Sequence, residues 1–148
     1  MNNECIPTKE AAYTQKITVH AGYAITGKTF VGPLTSRQSG GLGGLAADPL
    51  PVGDGSNILC PAAPTAGGAV GGVANWDAAS GAKVPITRGA GTFLPVTSGA
   101  AITVGAELQV DVNGRVVPFA AGKKVGIAHS AAGAAGTDVE VELYPFNN

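Results

Sequence analysis

Few residues of this 148-residue chain belong to the types that do chemistry. His20 and His129 are the two histidines, and neither has a carboxylate or a cysteine within four positions. Structural and catalytic metal sites draw on His, Cys, Asp and Glu at short, regular spacings, so no metal site is expected. Both histidines end strand-like patterns and read as polar strand-end residues. Cys5 and Cys60 lie 55 positions apart, with no CxxC pattern. Free thiols are expected, with a single Cys5–Cys60 bridge as the alternative. Ser39, Ser80 and Ser98 fall in Gly-rich turns and no GxSxG elbow is present, so no serine nucleophile stands out. The glycines at 40, 41, 43 and 44 lack the Lys-Ser/Thr and the strand–loop–helix setting of a phosphate loop. Asp48, Asp54 and Asp77 read as turn formers. Asp138, Glu140 and Glu142 form a period-2 row that reads as a solvated strand face, or as a face that meets a basic patch on a partner. No catalytic residue, cofactor site or metal site is assigned, and the chain is not expected to be an enzyme.

Composition narrows the partners. Charged residues make up 13% of the chain and the formal net charge is −1. Binding a polyanion needs clustered Lys and Arg, and the Lys123-Lys124 pair is too little, so no direct nucleic-acid partner is expected. No run approaches the ~18 apolar residues of a membrane span, and residues 1–10 lack the apolar stretch of a secretory signal. No membrane partner is expected.

The elements that would carry these residues are strands. Residues 1–12 are polar and patternless and read as a flexible N-terminal arm. Residues 13–20 (YTQKITVH) alternate as a half-buried strand, and residues 23–31 form a second extended stretch. Residues 33–66 hold five prolines and paired glycines. They read as an irregular insertion with one short strand near 57–60. From Gly67 onward short strands recur at 69–76, 83–87, 92–96, 107–112, 115–119, 124–129 and 137–143. Asn113-Gly114 between two of them is a hairpin signal, since both residue types accept positive φ. Pro85, Pro95 and Pro118 fall inside strand patterns and mark edges or bulges. This spacing predicts an all-β fold, a small β-sandwich or barrel-like domain over 13–148. Its expected core includes Val110, Val112, Val116, Ile127, Val139, Val141 and Leu143.

Trp76 is the only tryptophan. It is either a core anchor of its strand or an interface anchor. The insertion carries Leu42, Leu45 and Leu50 among its apolar residues, too many for a solvated linker when burying each is worth ~1.5–3 kcal/mol. Together with Tyr13 and Trp76 they are the candidate interface residues. The insertion is expected to pack across a subunit boundary, with folding back over its own domain as the alternative.

Residues 71–95 (GGVANWDAASGAKVPITRGAGTFLP) resemble the capsid decoration, or cement, proteins of tailed bacteriophages. Their recurrent pattern is met by Gly72-Val73-Ala74, by Asp77-Ala78-Ala79-Ser80-Gly81, by Val84, and by Phe93-Leu94-Pro95. Downstream, Gly126-Ile127-Ala128, Ala131-Ala132 and the strand ending at Leu143 continue it, and residues 17–31 look like the opening pair of strands. Residues 33–66 are longer than the connection expected there. The resemblance implies a β-rich domain, usually trimeric at threefold or quasi-threefold positions. It would be made in the bacterial host cytoplasm and carried on the outer surface of the virion capsid. The implied partners are the major capsid protein and copies of itself, and the implied role is to stabilise the head against internal DNA pressure. The alternative from another class is a virion-surface carbohydrate- or receptor-binding β module. Four Phe, three Tyr and one Trp offer few aromatic platforms for it.

Overall fold

A computed structural model describes residues 4–7, 9, 14–38 and 58–145. Among these residues there is no helix and there are eleven strands. They are β1 (Gln15–His20), β2 (Phe30–Val31), β3 (Leu34–Gln38), β4 (Ile58–Pro61), β5 (Gly72–Ala74), β6 (Lys83–Arg88), β7 (Phe93–Thr97), β8 (Glu107–Val110), β9 (Val116–Pro118), β10 (Gly126–Ala128) and β11 (Asp138–Leu143). The all-β expectation holds.

Five strands form a sheet in the order β7-β11-β10-β8-β9, with antiparallel neighbours. Its two ends meet. Ser98, just past β7, makes a parallel bridge to Val116 of β9, and the Gly99 amide donates to the Val116 carbonyl at 2.7 Å. The sheet therefore closes on itself through this bridge as a small barrel. Alternation sends Leu94, Val96, Leu108, Val110, Val116, Val139, Val141 and Leu143 into its interior, each no more than 1% exposed.

Four more strands, in the order β1-β6-β5-β2, make a second antiparallel sheet. It separates two cores. Phe30 and Val73, paired across β2 and β5, join the barrel's core. Their chain neighbours Val31 and Ala74 point the other way, into a second core with Val19, Ile25, Val84 and Ile86. β3 and β4 pair as a separate ladder with a register shift between Leu34 and Ser36. Leu34 and Leu59 pack on the second core.

Several expectations need correction. Val112 is 64% exposed. The hairpin turn begins earlier than the alternation suggests: the Gly114 amide bonds the Asp111 carbonyl, and the Asp111 amide bonds the Arg115 carbonyl. Val112 therefore sits at the tip. Only Gly114 of the Asn-Gly pair has positive φ, at 75°, so the loop is a three-residue turn closed by a glycine bulge. Ile127 is half-buried because β10 turns Gly126 and Ala128 inward. Ile127 instead lies opposite Glu107 and Glu142. The inward glycine is required, since a Cβ there would meet the Glu142 carbonyl oxygen at 2.4 Å. The stretch 23–31 is a strand only at Phe30–Val31, with an isolated bridge at Ile25. Among its described residues the insertion contributes two strands, β3 and β4, where one was expected.

Pro85 does not mark an edge, because β6 lies between β1 and β5. Its carbonyl accepts from Asn75, just beyond the end of β5, so its missing donor faces the point where that ladder has stopped. Pro95 and Pro118 lie on the terminal strands β7 and β9. Each lies two residues along its strand from a main-chain group that points away from the neighbouring strand, Phe93 toward Lys9 and Val116 toward Gly99. No ladder bond is lost at either proline.

Candidate docking face

Cys5 and Lys9 of the N-terminal segment are held to the domain. The Cys5 amide donates to the Asn75 carbonyl at 2.7 Å, and the Cys5 thiol points at the Pro95 carbonyl at 3.4 Å. Lys9 and Phe93 exchange main-chain bonds of 3.4 and 3.0 Å as an antiparallel bridge. Cys5 and Lys9 thus run along the outer edge of β7. Burial drives this: Cys5 is 2% exposed and belongs to the barrel-side core, and a reduced cysteine behaves there as a small apolar residue. Burial pushes its thiol up to about 12, against the pull of Lys28. Cys60 is also buried and free, so no bridge links the two.

Two apolar side chains beside the Cys5–Asn75 contact stand at the surface. Ile6 follows Cys5 and Trp76 follows Asn75, so the two flank the Cys5–Asn75 hydrogen bond in sequence. Ile6 is 65% exposed and Trp76 is 47% exposed. Trp76 is therefore not a core anchor. The strand it was expected to occupy ends at Ala74, and the next residues turn outward. Tyr13, Leu42, Leu45 and Leu50, the other candidate interface residues, lie outside the described residues. Ile6 was missed because nothing in an isolated Cys-Ile-Pro segment says which surface it will lie on.

The polar candidates are used inside the fold. Asp138 meets Lys28 at 2.6 Å and Glu142 meets His129 Nε2 at 2.9 Å. The acidic row is therefore engaged within the chain at both ends. The His129 ring lies 4.7 Å from that of Phe93, and the Lys9 ammonium stands 5.4 Å over the same Phe93 ring. Lys124 pairs with Glu107 at 2.6 Å and covers Phe119. Phe119 and Lys124 also line a cleft of about 370 Å³ with Val70, Val125 and Pro145. His20 is 2% exposed, and among the described residues neither ring nitrogen has a hydrogen-bond partner. Among the described residues no three His, Cys, Asp or Glu side chains converge as a metal site would require.

A closed barrel, a second sheet sharing its core and two exposed apolar side chains, Ile6 and Trp76, define a structural β module. The model of the phage cement protein family matches residues 8–143. The chain belongs to that family and is a structural protein of the phage head. Among solved structures, the fold is similar to that of the head fiber gp8.5 N base of bacteriophage phi29. The TM-score is 0.63 at 16% identity, covering 91% of this chain and 98% of that one. No curated protein matches the chain by sequence.

Proposed function

We propose that this chain binds the outside of the icosahedral head between major capsid protein subunits and stabilises it against the pressure of packaged DNA. It does so as a homotrimer at threefold or quasi-threefold positions. The observation that carries this reading is the family match, which runs through nearly the whole chain from residue 8 to 143. The likeness to a head-fibre base from another phage is consistent with a place on the head exterior. The exposed Ile6 and Trp76 supply the apolar anchors of the contact, since large aromatics in the centre of an interface carry much of its energy. Tyr13, Leu42, Leu45 and Leu50 belong to the same proposed contact surface. Each contact can be weak, because many copies on one head act together.

Heads assembled without the chain, then mixed with purified protein, test this reading. Saturable binding in a fixed ratio to the major capsid protein, with heads that resist heating better once decorated, is the expected result. Trp76→Ala should cut occupancy at limiting protein severalfold while leaving the isolated domain folded. Binding to a glycan array together with no affinity for heads would instead favour a receptor-binding module.

A further inference from the structure

The cleft of about 370 Å³ beside the barrel combines an apolar floor with a basic rim. Val70 and Val125 line it, and both are buried members of the barrel core. The half-buried Phe119 adds an aromatic wall. The shape is held in place. The Lys123 amide donates to the Gly67 carbonyl at 2.9 Å, and the Val125 amide donates to the Leu108 carbonyl at 2.8 Å. Gly67 and Gly122 both have positive φ, and a Cβ on either would run into the main chain of the opposite wall. A preformed concave site, mostly apolar with a few polar groups, has the form of a binding pocket.

The polar groups select the partner's chemistry. Lys123 and Lys124 are the only adjacent cations of the sequence, and both are exposed at the rim. Lys124 pairs with Glu107 at 2.6 Å, but both side chains are well exposed, so the pair is weak and can exchange partners. Two lysines are too few for a polyanion and enough for a carboxylate. A second copy of this chain is poorly equipped to supply it, because every described carboxylate already has a partner. Among the described residues, neither Ala69 nor Lys124 makes a main-chain hydrogen bond. Both walls thus offer main-chain groups to an incoming chain.

We propose that this cleft takes an extended acidic segment of the major capsid protein. An apolar side chain of that segment sits over Val70 and Val125, and a flanking carboxylate meets Lys123 and Lys124. Its main chain bonds to Ala69 and Lys124, as in strand addition to a sheet edge. The inference rests on the capsid-binding reading and adds to it a second contact that shares no residue with Ile6 and Trp76. A protein that ties neighbouring subunits together needs two such surfaces.

The test uses heads assembled without the chain and the purified full chain. Lys123→Glu combined with Lys124→Glu should lower occupancy at limiting protein roughly tenfold, with an unchanged melting temperature. Lys16→Glu combined with Lys83→Glu makes the same change of charge on two exposed lysines outside the cleft, and should lower it far less. The amides of Ala69 and Lys124 should exchange hydrogen more slowly on heads than in the free protein. Full wild-type binding with no loss in the Lys123 and Lys124 variant overturns this proposal and leaves the capsid-binding reading standing. No binding by the wild-type chain overturns both. Protection of the two amides that rises with the concentration of free protein would assign the cleft to a second copy. Protection in the free protein that vanishes when residues 146–148 are removed would assign it to the chain's own residues. Either of these results overturns the proposal.

Discussion

The Phe30 amide donates to the Gly114 carbonyl at 2.7 Å, fastening β2 of the second sheet to the turn between β8 and β9 of the barrel. The contact is close enough that a Cβ on Gly114 would overlap the Phe30 carbonyl oxygen, at 2.1 Å. Gly114→Ala therefore carries two penalties, the positive φ and the clash. It should destabilise the domain by about 2 kcal/mol or more in urea denaturation. Asn113→Ala, at the exposed neighbour, should cost well under half as much.

Val110 and Val112 have the same parity and opposite surroundings. Val110→Ala opens a cavity in the barrel and should cost about 2–3 kcal/mol. Val112→Ser lies at the turn tip and should stay within about 0.5 kcal/mol of the parent. Denaturation midpoints of the two variants check this directly.

Cys5 and Tyr23 set an alkaline limit. Burial raises the thiol of Cys5 to about 12, and burial together with the Cys60 thiol raises the Tyr23 hydroxyl to about 12. Both groups are neutral when protonated, so the fold holds their protons more tightly than the unfolded chain does. Their contribution is fully present below the ordinary values of 9.0 and 10.0 and is lost as pH rises toward about 12. Melting temperature should fall through that window. Cys5→Ala and Tyr23→Phe should each flatten the fall, and thiol reagents at pH 8 should label Cys5 only when the protein unfolds.

His20 is buried, and among the described residues neither ring nitrogen is paired. An unsatisfied buried polar group costs about 1–3 kcal/mol, and an apolar replacement of similar size removes that cost. His20→Leu should leave stability unchanged or raise it by about 1 kcal/mol in denaturant titration. A loss of more than about 2 kcal/mol would mean that the ring makes a bond the fold depends on.

The sequence by itself determined the class of fold. Val139, Val141 and Leu143 alternate with Asp138, Glu140 and Glu142, and that period of 2 survives folding because a strand turns successive side chains to opposite faces. The ordered motifs from Gly72 to Pro95 also sufficed to indicate the cement family. What alternation cannot contain is where a strand stops and what lies across from it. Val112 has the pattern of a core residue, and a turn starting at Asp111 put it in solvent. Ile127 has the composition of one, and the register with Glu107 and Glu142 turned Gly126 and Ala128 inward instead. Cys5 and Lys9 carry no readable pattern because they are held by main-chain bonds to Asn75 and Phe93, which leave no mark on side-chain periodicity. The Cys5–Asn75 main-chain bond and the meeting of Lys28 with Asp138 join positions 70 and 110 residues apart. Only the closed barrel and the sheet laid against it bring those positions together.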